Sequence, residues 1–292
     1  MRARFTFALV LALLGQAALA QSEYLQTFVW RMDDDTFGGL SSMKLNSNGL
    51  VFTTLSDRGQ GFEGSFVRDE NGKISAVSVT NSARLKGVRD KYLNHFRSDV
   101  EGITAAPKGG FYASFEGWHR VWYYRKLTAK PVQLSRHSDF RDLQPNSSLE
   151  ALASDAMGTI YTIPERSGKT DRPFPVYRFK VGKWDIPFSV PRRGRFLIAG
   201  ADIGPDGRLY VLERDFWVLG GFSSRVRRFE IKGDTLENET EVMRSFAGKH
   251  DNLEGISVWR DATGLRMTLV SDDNFSRLQR TEIVEYRLPL EL

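Results

Sequence analysis

Three glutamates, Glu101, Glu150 and Glu254, hold the same place in three of five similar segments, at the start of a short apolar run. Five more residues, Asp57, Glu116, Glu165, Glu213 and Asp272, end the second run of each segment. Carboxylates gathered in this number raise Coulomb energy, because neighbouring like charges oppose joint ionisation. Arg58, Arg166 and Arg214 directly follow three of these acids and could pair with them. The remaining acids suit a hard cation such as Ca²⁺, which takes oxygen ligands. Glu101, Glu150, Glu254 and Asp272 are the expected ligands, and the three glutamates with Asp57 and Arg58 are the expected catalytic groups. Arg166 and Arg214 are candidate substrate-binding groups. His119 and Trp118 would border a substrate. The plainer reading of any one acid is a cap on neighbouring backbone N–H groups. Three aligned glutamates favour a functional mouth, since caps do not need the longer side chain.

Other chemistries find no support. There is no cysteine, which removes disulfides, thiolate metal sites and Cys nucleophiles. No G-x-S-x-G, H-E-x-x-H, P-loop or dinucleotide glycine motif is present. The four histidines, His95, His119, His137 and His250, lack ligand spacing; His119 and His250 fall near the acids and could serve as acid or base. Asp33-Asp34-Asp35 reads as a solvated turn. Trp118, Trp217 and Phe275 follow the second-run acids and could wall a pocket, although packing explains aromatics equally well.

The elements that must position these groups come from a repeat. Each unit is a short apolar strand, a turn, and a second apolar strand. The turns are Asn46–Gly49, Pro107–Gly110, Asp155–Gly158, Gly204–Gly207 and Asp261–Gly264. Asn, Asp, Pro and Gly supply positive φ or local side-chain hydrogen bonds there, so each pair is a hairpin. A third strand follows at Val121–Tyr124, Val176–Phe179, Val226–Ile231 and Ile283–Leu288. Units recur about every 50 to 60 residues, read from Gly39, Glu101, Glu150, Ala201 and Glu254, the period of propeller blades. The fold expected is therefore all-β, a β-propeller of five or six blades, closed by pairing Thr27–Met32 with the last strands. Lys73–Val79 would be a degenerate sixth blade, and Asp90–Phe96 a short helix. A β-sandwich or two β domains would not need the same acidic position in each unit. In a propeller the first strand of each blade lines the channel and the second runs back beside it, so both sets of acids meet at one mouth.

Residues 1–20 read as a secretory signal peptide: Arg2 and Arg4, the apolar run Phe7–Leu14, then Ala18-Leu19-Ala20 before Gln21. The uncharged stretch is too short to span a bilayer. Residues 21–292 are then one exported domain, periplasmic or secreted, expected to be a monomer with no membrane span. The formal net charge of +5 comes from cations scattered among acids, which argues against nucleic acid.

Several strings resemble the exported bacterial phytase-like proteins, named for the esterase-like activity of phytase. They are Gly38-Gly39-Leu40-Ser41 with Leu55-Ser56-Asp57-Arg58-Gly59, Val100-Glu101-Gly102-Ile103, Leu149-Glu150-Ala151-Leu152, Val211-Leu212-Glu213-Arg214-Asp215-Phe216, and Asp251-Asn252-Leu253-Glu254-Gly255-Ile256 with Val270-Ser271-Asp272-Asp273-Asn274-Phe275. The resemblance implies a propeller, export, and a Ca²⁺-assisted hydrolase of phosphoesters or carboxylic esters with a small-molecule substrate, in which Arg58, Arg166 and Arg214 would be phosphate clamps. A phytate site would want dense Lys/Arg, and the mouth drawn here is net acidic. The alternative is a non-catalytic periplasmic propeller that binds a ligand or protein over the same face.

Overall fold

The computed structural model describes residues 21–145 and 147–289; the expected signal peptide lies outside the described residues. The chain opens with β1 (Glu23–Val29) and then builds blade after blade. Blade 1 holds β2 (Leu40–Leu45), β3 (Val51–Ser56), β4 (Gln60–Arg68) and β5 (Ile74–Arg84). Blade 2 holds β6 (Val100–Ala105), β7 (Phe111–Phe115), β8 (Arg120–Tyr124) and β9 (Val132–Gln133). Blade 3 is β10 (Ala151–Ser154), β11 (Ile160–Ile163), β12 (Phe174–Lys180) and β13 (Lys183–Val190). In blade 4 are β14 (Leu197–Ile203), β15 (Leu209–Trp217), β16 (Gly221–Lys232) and β17 (Thr235–Arg244). Blade 5 is β18 (Asn252–Asp261), β19 (Gly264–Asp272) and β20 (Glu282–Arg287), with β1 as its outermost strand.

Among the described residues these are five four-stranded antiparallel sheets, so the propeller has five blades. The expected sixth is the long outer strand of blade 1: β5 begins at Ile74 and pairs with β4. The expected helix at Asp90–Phe96 is a loop pinned by a Lys86–Tyr92 bridge and followed by a single 3₁₀ turn, His95–Arg97. A helix needs several turns of repeated hydrogen bonds to offset its nucleation cost, and this segment is too short. No helix of the described residues is long and apolar enough to cross a membrane.

The apolar residues alternate along each strand, so every blade has two faces to bury. Five hydrophobic clusters do this, one at each junction: blades 1 and 2 around Leu55 and Phe115, 2 and 3 around Val121 and Phe140, 3 and 4 around Phe174 and Phe229, 4 and 5 around Tyr210 and Met267, and 5 and 1 around Trp30 and Phe52. Closure is by the first strand, as expected: Thr27 lies opposite Val284 and Phe28 opposite Ile283.

Glu285 fastens this seam. Its fully buried carboxylate accepts from Gln26 Nε2 of β1 at 2.7 Å, both Arg68 Nη atoms of blade 1 at 2.8 Å, Arg266 Nη2 at 2.9 Å and Thr268 Oγ1 at 3.0 Å. Burial opposes its charge, but these partners outweigh burial and hold the carboxyl below its ordinary range. Removing one member of a buried pair strands the rest, so Glu285→Ala should lose about 3–5 kcal/mol of unfolding free energy in a urea titration. A change under about 1 kcal/mol would mean that the seam does not depend on this carboxylate.

Candidate functional site: an acidic mouth built on repeated bulges

The inner strands β2, β6, β10, β14 and β18 ring the channel. In four of them the register with the second strand slips by one residue near the start, at Ser41, Glu101, Ala199 and Glu254. Such a bulge re-aims one side chain out of the ladder. In blade 3, Glu150 directly precedes the Ala151–Ile163 pair and holds the equivalent place. The residue after each bulge is small, because neighbouring inner strands nearly touch. A Cβ on Gly200 would lie 2.4 Å from the Glu254 carbonyl oxygen, and one on Gly255 2.8 Å from the Met43 nitrogen.

The second strands end on the same rim. Asp57 N–H donates to Gly39 O at 2.9 Å, Glu116 N–H to Asp99 O at 2.9 Å, and Glu165 N–H to Ser148 O at 2.8 Å; Asp272 lies opposite Asn252 and Arg214 opposite Leu197. The fourth position of this set is therefore Arg214, where the sequence placed Glu213. Side chains alternate faces along a strand, so one residue of offset moves a group from mouth to blade. Glu213 is fully buried within blade 4, where it accepts from Arg225 Nε and Arg227 Nε, both at 2.7 Å. Blade 4 has no carboxylate at its bulge, Ala199. Asp202, further along β14, pairs with Lys44 Nζ of β2 at 2.6 Å.

The mouth therefore combines Glu101, Glu150, Glu254, Asp57, Glu116, Glu165 and Asp272 with Arg214. Burial first, then Glu150, Asp99, Glu254 and Glu116, push the Glu101 carboxyl well above its ordinary range. Glu150 moves the same way through burial, against the pull of Arg214. Asp57 is raised to about 6 by burial and Asp99, Glu116 to about 7 by burial and Asp99, and Asp272 to about 8 by burial and Glu254. Displacements of this kind concentrate at functional sites, and buried ion-pair networks produce them as well. Arg214 donates to Glu254, to Asn252 Oδ1 at 2.8 Å and to Glu165 Oε1 at 3.4 Å. Burial opposes its charge, but Glu254, Glu150 and Glu165 hold it ionised. Arg166 Nε pairs with Glu165 at 3.1 Å and donates to Ser147 Oγ at 3.0 Å. Arg58 stands 3.4 Å above the Phe275 ring, at the rim.

One carboxylate went unread in the sequence. Asp99 lies two residues before the Glu101 bulge, and oxygens of Asp99, Glu101 and Glu116 fall within 4.8 Å of one another, a geometry able to hold a cation. Of the four expected ligands only Glu101 belongs to this trio; Glu150 and Glu254 face Arg214, and Asp272 adjoins Asp57 and Glu254. The signal available was the spacing Asp99-x-Glu101, since residues two apart share a face. Buried Asp57 Oδ1 has no hydrogen-bond partner among the described residues, a further oxygen suited to a cation. All these donors are oxygens, the chemistry Ca²⁺ takes.

His119 is at the mouth: its Nδ1 lies 2.6 Å from Ser148 Oγ, and Ser148 N–H donates to Glu116 Oε1 at 3.1 Å. Burial lowers its pKa, so the ring is neutral at pH 7. Trp118 is half exposed beside it at φ +66°, costly for a bulky residue. His250 is elsewhere, in blade 5, with Nε2 2.7 Å from Tyr286 Oη. Trp217 ends a strand that runs on past Arg214 and is half exposed.

Residues 35–275 match the family model described as "Phytase-like: Esterase-like activity of phytase". Among solved structures, an α-L-arabinofuranosidase from Podospora anserina in complex with cellotriose is similar, with a TM-score of 0.52 at 9% identity over 93% of this chain and 98% of that one. A glucose dehydrogenase gives a TM-score of 0.46 at 12% identity over 91% and 98%. At such identities the likeness is one of fold. None of the curated proteins matches the chain.

Proposed function

Since this chain belongs to the phytase-like family, that of the esterase-like activity of phytase, we propose that it is an exported hydrolase of phosphate or carboxylate esters that works with a hard cation at the acidic mouth. The observation that carries this reading is the convergence of carboxylates from four blades on one rim, several of them pushed up by burial and by one another. Each ionised group in so buried a cluster costs stability unless an opposite charge offsets it, and a bound cation would add to what Arg214 supplies.

Asp99, Glu101 and Glu116 would hold the cation, with Asp57 within reach of the same charge. Bound there, Ca²⁺ would act as a Lewis acid toward the ester oxygen. The chain's own groups supply the proton chemistry. Asp57, at about 6, is mostly ionised at pH 7 and can take a proton from water; Asp272, at about 8, is mostly protonated and can give one to a leaving group. Arg166 and Arg58, on the rim, are placed to meet an anionic oxygen.

The test is turnover of p-nitrophenyl phosphate and p-nitrophenyl acetate by the purified protein, with Ca²⁺ and with EDTA, beside elemental analysis of retained metal. Hydrolysis of either ester that EDTA abolishes and Ca²⁺ restores is the expected result. No retained cation and no hydrolysis of either would leave a non-catalytic ligand-binding propeller. Export is checked by the mass of periplasmic protein, which should begin at Gln21.

A further inference from the structure

We propose that a basic pocket on the flank of blade 2, outside the acidic mouth, binds a ligand through its phosphate groups. The cavity, about 580 Å³, lies between the loop before β6 and strands β8 and β9. Arg89, Lys91, Arg97, Arg120 and Arg136 line it, and no carboxylate does. In a chain with 41 cations and 36 acids mixed along its length, five cations around one cavity without an acid is a marked segregation of charge.

Arg120 is the decisive group. It is only 5% exposed, and among the described residues it makes no ion pair. Its Nη atoms donate to the carbonyls of Gly117 and Arg97, while Nε has no hydrogen-bond partner among the described residues. Phe115 and Trp122 rings lie 3.9 and 4.2 Å from its guanidinium carbon. Other buried arginines of this protein have a carboxylate: Arg225 and Arg227 have Glu213, and Arg266 has Glu285. A buried charge with no acid paired directly to it is strongly unfavourable. Burial pushes the Arg120 group down to about 9, and Arg136 and Arg97 add to this against an opposing pull from Tyr124 and Asp99. A bound oxyanion would supply the missing charge.

The lining also says which oxyanion. Four further cations around Arg120 exceed what one carboxylate neutralises, and guanidinium forks match phosphate oxygens bidentately. Arg97 is held at the rim by Trp118, 4.0 Å below its guanidinium, which gives the strained Trp118 backbone a purpose. Trp118 and Arg136 also line a smaller pocket of about 370 Å³ that touches Glu116 and His119. A ligand anchored by phosphate in the basic pocket can therefore extend toward the mouth; that last step alone rests on the hydrolase reading.

Calorimetric titration with inorganic pyrophosphate, in EDTA, tests the site without any turnover. Wild type should bind, and the double variant Arg97→Gln/Arg136→Gln, altered only at exposed side chains, should bind at least 10-fold more weakly. Arg120→Gln should abolish binding, with a thermal melt confirming that it folds. Arg166→Gln, at the mouth, should leave this Kd unchanged. No binding by wild type, loss in Arg166→Gln but not in the double variant, or equal affinity for citrate would each overturn the proposal. Pyrophosphate binding by a protein that hydrolyses no ester would sink the hydrolase reading and leave this site standing.

Discussion

Glu101→Gln should make the cation-free protein harder to unfold while removing its affinity for Ca²⁺ and its turnover. The substitution keeps shape and removes one charge from a place where burial, Glu150, Asp99, Glu254 and Glu116 all oppose ionisation. Each tenfold rise in proton affinity of a buried carboxyl represents roughly 1.4 kcal/mol of cost once the group is forced to ionise. At pH 8 in EDTA the variant should therefore melt higher than wild type, each 1 kcal/mol of relief raising Tm by about 2–4 °C in a chain of this size. Affinity for Ca²⁺ should fall at least ~100-fold, because charge count sets the strength of an oxygen site. Esterase or phosphatase turnover should fall with it. Glu150→Gln should follow the same direction with a smaller gain in Tm, because Arg214 already offsets that charge. If Glu101 were a backbone cap, the variant would melt lower instead, and the melting curve separates the two cases.

The second large effect is a dependence of stability on pH that Ca²⁺ should reduce. Asp57, Glu116 and Asp272 are raised in the folded state to about 6, 7 and 8, against ordinary values near 4. An acid whose pKa is higher folded than unfolded binds more protons in the native state, so stability falls as pH rises. The cost is absent below about pH 4, grows through the interval, and is complete above about pH 8. In EDTA the protein should therefore melt several degrees higher at pH 5.5 than at pH 8.5. Millimolar Ca²⁺ should narrow that gap through Glu116 and Asp57, acting mainly at the alkaline end, since protons compete for the same oxygens, and should leave the part due to Asp272. Equal melting temperatures at the two pH values in EDTA would mean that these acids do not share a buried site.

Several features were legible along the chain because their causes are local. Turn residues announced the hairpins, as at Asn46, whose Oδ1 accepts the N–H groups of Leu50 and Val51, and at Asp155, whose Oδ1 accepts those of Met157 and Thr159. Alternation announced the strands, and the period announced the blades. Glu101, Glu150 and Glu254 were found at one repeat position, and they occupy equivalent places on the rim.

What failed to show was anything that hung on register or on contacts between distant blades. A one-residue bulge, invisible in composition, decides that Arg214 and not Glu213 reaches the mouth. Asp99 joins Glu101 and Glu116 only because the end of β7 pairs back on the residues before β6. The basic pocket draws its cations from the loop before β6, from β8 and from the segment after β9, none of which shares a sequence pattern with another. The sequence by itself determined the hairpins, the blade repeat and the acid-rich first and second strands, since these follow from neighbours a few residues apart. Only the closed ring decided which side chains meet, how many carboxylates must share one buried rim, and which buried arginine forms no direct ion pair, because burial and Coulomb energy depend on distance in space and not along the chain.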